Sequence, residues 1–327
     1  MIPRVSAGLF TVLFFVTVLS IHTLAADPGI VVVSGAIVSD QRAGSVLVYN
    51  LYSSSSTNPS AENTRINVTN SNPTQNVNVH MFFIDGRSCS VADSFICLSQ
   101  SQTATLLASD IDPDVRGFIV ALAVHSDGRP RDFNFLIGDE YLKLASGHIA
   151  NLGAEAIPAL DLSGLPTLID FLLTIKFDGV MYGMLPRALA VDSLASIRDG
   201  NDTMLIINRV CGSLVEGLEP MGSIFGIMYD ELESAFSYSF SNNVCQHRVS
   251  LSDSFPRTVP RFSTVIPAGA VGWTKFWAIT DKPSLGAVIN RNPGGGPSAF
   301  NAGHNLHKLT YSAKGEFQIP VFTNGCN

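Results

Sequence analysis

The stretch from Thr64 to Leu98, TRINVTNSNPTQNVNVHMFFIDGRSCSVADSFICL, constrains this chain most. Ile66 and Val68 alternate with Arg65, Asn67 and Thr69, the period of two of a strand with one buried face. Asn70-Ser71-Asn72-Pro73 interrupts the pattern, and Pro73 has no N–H to give to a ladder. Val77, Val79, Met81 and Phe83 resume the inward face, and Asp85-Gly86 closes it with turn residues. A short loop bounded by Cys89 and Cys97 follows.

The same alternation recurs on both sides of this stretch. Gly44 to Tyr52 sends Val46 and Val48 one way and Leu47 and Tyr49 the other. Ser53 to Ser60 reads as a polar surface loop. Thr103 to Ala108 and Gly117 to Val124 add two strands, and the second is apolar on both faces, as a central strand is. Phe133 to Ile137 and Tyr141 to Leu144 follow, separated by a turn at Gly138-Asp139-Glu140. Residues 145–166 lose the alternation, and Pro158 and Gly164 discourage a long helix. Thr174 to Tyr182 resumes strand patterning. Asp202 to Asn208 then matches Asn63 to Thr69, Ile224 to Tyr229 matches Val79 to Ile84, and Gly272 to Thr280 matches Gly117 to Val124. Strands at this spacing predict an all-β chain of two tandem antiparallel β-sandwich domains, residues 27–160 and 161–327, with one large sandwich as the alternative. The 327 residues suffice for two domains.

TRINVTNSNP and VNVHMFFID, followed by RGFIVALAV, resemble the immunoglobulin-like sandwich domains of uncharacterised secreted bacterial proteins. The resemblance covers the first half of the mature chain and implies a fold, not an activity. The Cys–Trp–Cys signature of antibody domains is missing, since no Trp lies between Cys89 and Cys97 or between Cys211 and Cys245.

The N-terminus carries an address. Arg4 precedes the apolar run Leu9 to Leu19, and Thr23-Leu24-Ala25-Ala26 offers small residues for cleavage, the pattern of a secretory signal peptide over residues 1–26. The run falls short of the roughly 20 residues a membrane helix needs, so no span is expected in the mature chain. The protein is expected to be secreted, extracellular or periplasmic. A net charge of −7, with Lys and Arg scattered singly, argues against nucleic-acid and anionic-lipid partners. In an oxidising compartment cysteines read as disulfides. Cys89 with Cys97 is the first expected pair and Cys211 with Cys245 the second, leaving Cys326 over.

No motif for catalysis stands out. No cofactor is expected; Asp110, Asp112 and Asp114 alternate in one loop and could offer oxygen ligands to Ca²⁺, but the EF-hand glycine and glutamate are replaced by Val115 and Ala121. An ordinary acidic turn is the simpler reading. His304 and His307 could supply two imidazoles, without the helical i, i+4 spacing of metalloproteases. Asp139, Glu140, His148 and Glu155 are the densest acid–base cluster, although neighbours on a strand face opposite ways. Trp273 and Trp277 share one strand face and could form a ligand platform if exposed, or core if buried. Asn67 and Asn201 open glycosylation sequons. These residues point to a secreted, non-enzymatic structural, adhesive or surface-interaction protein, meeting an extracellular protein or glycan. A carbohydrate-binding or carbohydrate-active protein is the alternative.

Overall fold

The computed structural model describes residues 26–29, 37–294 and 299–323. All of the expected leader except Ala26, and Cys326, lie outside them. The described chain is all-β. Its first sheet has the order β4 (Val91–Leu98), β3 (Val77–Asp85), β6 (Arg116–Val124), β1 (Val46–Ser53), β9 (Glu155–Ile157). The second runs β5 (Thr103–Leu107), β2 (Asn63–Asn70), β7 (Leu136–Lys143), β8 (Ile149–Gly153). The third runs β16 (Ala235–Asn242), β15 (Gly222–Tyr229), β18 (Val271–Ala278), β11 (Leu185–Ala195), β21 (His307–Ser312). The fourth runs β17 (Gln246–Ser250), β12 (Asp202–Arg209), β19 (Ser284–Arg291), β20 (Ala302–Asn305). The fifth runs β10 (Leu172–Phe177), β22 (Gly315–Pro320), β13 (Gly212–Ser213), β14 (Gly217–Leu218).

The five sheets form a five-bladed β-propeller ring, which overturns the expectation of immunoglobulin-like sandwiches and of one large sandwich. The physical reason lies in the first sheet. Leu47, Tyr49, Val79, Met81 and Phe83 pack on the second sheet. The alternate residues Val46, Val48, Phe82 and Ile84 pack on Leu173, Ile175 and Phe317 of the fifth. A sheet of an isolated sandwich keeps one wet face, and this one keeps none. Further clusters join the second sheet to the fourth, through Leu142, Leu152, Ile206 and Ile289, and the fourth to the third, through Leu205, Ile207, Leu189 and Phe276. Period-two patterning assigns residues to faces, but it does not say how many sheets share a core.

Strand order is used twice. Reading β1 to β9 as β11, β12 and β15 to β21 reproduces both the five-stranded and the four-stranded order. In each half the first strand carries a β-bulge at the same place, between Tyr49 and Tyr52 in β1 and between Val191 and Leu194 in β11.

Two local expectations are also corrected. Gly138-Asp139-Glu140 is the middle of β7 rather than a turn. Gly138 is needed there because the Tyr49 hydroxyl, donating to Asn67 O at 2.9 Å, lies where a Cβ would sit, 2.3 Å away. The segment between Cys89 and Cys97 is the strand β4, paired with β3 from Ile84↔Val91 to Asn78↔Cys97. Six residues of strand at about 3.3 Å each put Cys97 roughly 20 Å along the hairpin, far beyond disulfide reach. Cys89, Cys211 and Cys245 are free thiols, so neither expected pair forms. Cys97 has a partner of its own. Among the described residues no helix is long and apolar enough to cross a membrane.

Candidate functional site

Where the first sheet meets the fourth, a cleft of about 560 Å³ opens between the β3–β4 turn and β17. The turn is docked through its backbone: Gln246 N donates to Gly86 O at 3.0 Å, and the Cys245 thiol lies 3.3 Å from Asp85 O. A Cβ on Gly86 would meet Gln246 Cβ at 2.7 Å, so glycine allows the approach. Arg87 from the turn, Arg116 at the start of β6 and Arg248 on β17 line the cleft.

The three guanidinium groups differ in their partners. Arg116 grips Glu62 with both arms, Nε to Oε1 at 2.7 Å and Nη2 to Oε2 at 2.8 Å. Burial would raise the Glu62 pKa, but hydrogen bonds from Arg116 and Ser53 hold it below the ordinary value. Among the described residues Arg248 makes no such ion pair, although the Glu62 charge acts on it from a distance. Its Nη1 is buried and has no acceptor among the described residues. Burial, aided by the nearby charge of Arg116, lowers the Arg248 pKa. An unmatched buried donor of this kind costs about 1–3 kcal/mol, more when charged. Arg87 is exposed at the rim. Two planar forks without a carboxylate partner, beside one that has a single one, suit a ligand bearing carboxylate, sulfate or phosphate oxygens. His247 also lines the cleft, but its ring stacks on Phe240 at 4.6 Å, and burial lowers its pKa to about 4, so it is neutral.

The acid–base cluster expected from sequence is split up. Glu140 is fully buried, and its Oε1 accepts from Leu51 N at 3.1 Å. Burial raises its pKa well above the carboxylate range. Glu155 is buried against Lys308 Nζ at 2.8 Å; burial pushes its pKa up to about 7 although the lysine opposes the shift. His148 is buried and bonds Ser146 Oγ at 2.9 Å and Asp202 O at 2.8 Å, tying the second sheet to the fourth. Asp139 accepts from Asn67 Nδ2 at 2.7 Å on the outer face. Around Glu140 runs a buried amide network: Asn50 donates to Asn305 Oδ1 at 2.9 Å, Asn208 to Asn50 O at 2.8 Å, and Gln246 to Asn208 Oδ1 at 2.9 Å. The buried groups hold sheets together; Asp139 lines a separate hollow of about 390 Å³, and Gln246 lines the arginine cleft.

The acidic loop is spent on its own neighbours. Asp112 Oδ2 accepts from Tyr52 at 2.5 Å at the end of β1, and Asp114 accepts from Ser56 N at 2.8 Å in the loop at Ser53 to Ser60, while Asp110 stays exposed. The three do not converge as ligands for Ca²⁺; among the described residues the group able to hold a metal is Asp192, His304 and His307. Trp277 is buried beside Phe225, with ring centroids 5.3 Å apart, whereas Trp273 is half-buried and stacks on Tyr229 at 4.5 Å. The two indoles therefore do not present a joint platform. Asn201 is buried and donates to Ser196 O, which removes it as a glycan acceptor in the folded chain. Arg87, Arg116 and Arg248 were not legible as a group, because they stand singly and far apart in sequence. Asp192 left only a weak signal, the one acid in the largely apolar strand LPRALAVDSLA, which also carries Arg187. Comparison with protein-family models, with curated proteins and with solved structures gives no match for this chain.

Proposed function

We propose that the protein is a secreted, non-enzymatic surface-interaction protein that binds an acidic glycan in the arginine-lined cleft. The observation that carries this reading is the convergence of three guanidinium-bearing residues, Arg87, Arg116 and Arg248, on one cleft. On a chain with net charge −7 a local cationic cleft selects the anionic groups of a partner against a repulsive background. Uronate and sulfate groups on a polysaccharide match the guanidinium fork and suit an extracellular setting. The test is calorimetric titration with polygalacturonate and heparin fragments, with neutral dextran as the control. Binding to the acidic chains that weakens about tenfold or more in Arg248→Gln and Arg87→Gln, and that falls with added salt, is expected. Equal binding of dextran, or undiminished binding by the double variant, overturns the proposal.

A further inference from the structure

We propose that Asp192, His304 and His307 form a binding site for a first-row divalent transition metal ion, with Zn²⁺ as the best match. This inference is independent of the glycan reading, because the site lies at the junction of the third and fourth sheets and shares no residue with the cleft.

The backbone brings the three side chains together. His304 is in β20, on the fourth sheet, and His307 is the first residue of β21, on the third. Between them Leu306 is buried, and its N–H donates to Gly286 O at 2.9 Å, which fixes the crossing. Across from them, β11 pairs Ala190 with His307, then bulges between Val191 and Leu194. The bulge takes Asp192 out of the ladder and re-aims its carboxylate, a use to which bulges are often put.

The spacing fits a metal better than an ion pair. His304 Nε2 lies 3.4 Å from one oxygen of Asp192, and His307 Nε2 lies 3.4 Å from the other. Charge-assisted hydrogen bonds are shorter, about 2.7–2.9 Å. A tetrahedral Zn²⁺ with bonds of about 2.0–2.1 Å separates its ligand atoms by roughly 3.3–3.4 Å. The donor atoms of all three residues lie within 4.8 Å of one another. The tautomer is also set. His304 Nδ1 meets the Asn305 carbonyl at 2.9 Å and must donate to it, leaving the Nε2 lone pair for a metal. Two imidazoles and a carboxylate form a set suited to Zn²⁺, Cu²⁺ or Ni²⁺ rather than Ca²⁺ or Mg²⁺. All three side chains are about half exposed, so an ion has direct access and keeps room for water or a partner's ligand.

The full chain is titrated with ZnCl₂ by calorimetry, and with CoCl₂ by visible absorption. Saturable one-to-one binding is expected, with Co²⁺ giving the intense bands of a low-coordinate nitrogen–oxygen site. His304→Ala and His307→Ala should each weaken binding by roughly tenfold or more, and their combination should abolish it. Because the side chains are exposed, metal-free melting of these variants should match the parent, while the Zn²⁺-dependent rise in Tm is lost. His125→Ala should keep the parent affinity. Absence of saturable binding, or binding retained by the His304→Ala/His307→Ala double variant, overturns the site.

Discussion

The two bulges that interrupt β1 and β11 occupy the same place in the two halves and have opposite fates. In β1 the bulge holds Asn50 and Leu51, both buried, with the fourth sheet packed over them. In β11 the matching residues are Asp192 and Ser193, both exposed. A bulge frees backbone groups from the ladder wherever it occurs. Under a covering sheet those groups need an internal acceptor; at a rim they have water. The first half supplies the acceptor as Glu140, which stands opposite Ile66 and takes a hydrogen bond from Leu51 N. At the corresponding position of the second half, opposite Leu205, stands Val288, a core residue. One backbone irregularity thus becomes a buried structural joint in one half and a presented carboxylate in the other.

Giving the first half the second half's residue should have the largest effect. Glu140→Val removes the acceptor for Leu51 N and leaves a buried donor unmatched. A loss of about 3 kcal/mol in urea unfolding at pH 5 is expected. Low pH suits the comparison because burial raises the Glu140 pKa and favours its neutral form. An unchanged midpoint would show that the β1 bulge does not depend on Glu140.

The buried carboxyls also set a pH slope. Glu155 has its folded pKa raised to about 7 by burial, from an ordinary value of 4.5. A raised carboxyl pKa means that the folded state holds the proton longer. Its contribution to stability is therefore full below about pH 4.5 and is lost as pH rises through 7. Glu140 is shifted in the same direction. The difference in unfolding free energy between the parent and Glu155→Gln should fall by about 3 kcal/mol between pH 4.5 and pH 8; taking the difference removes the slopes set by Glu140 and by buried His247, whose lowered pKa of about 4 adds stability as pH rises. A parent-to-variant difference that stays level or rises over this window would contradict the burial of Glu155.

Much of the strand layout was legible, because period-two patterning reports directly on faces. Ile66, Val68, Val77, Val79, Met81 and Phe83 all lie buried in one cluster, and β6 is buried along all but its first residue. Three things were not legible. Gly138 looked like a turn residue because glycine's reason, the approach of Tyr49 from another strand, is non-local. The segment from Val91 to Cys97 looked like a disulfide loop because its outer face is polar, and an edge strand at a hairpin has the same composition. The ring of sheets was hidden because alternation names inward residues without naming the sheet that covers them. For the candidate sites the same limit applies. His304 and His307 are visible as a pair, but Asp192 joins them from more than a hundred positions away, and the three cleft arginines come from three separate strands and turns.

The smallest effect should appear at the second bulge. Asp192→Asn keeps the side-chain shape and removes only the charge. The carboxylate is 58% exposed and contacts two half-exposed histidines at 3.4 Å, where solvent screens most of the interaction. Metal-free stability should therefore change by less than about 0.5 kcal/mol. The contrast with Glu140→Val, at a site paired to the matching bulge of the other half, is then severalfold. A large loss from Asp192→Asn in the absence of metal would mean that this bulge too relies on its carboxylate for folding. In that case the difference between the halves would lie in which group satisfies the bulge rather than in whether water can.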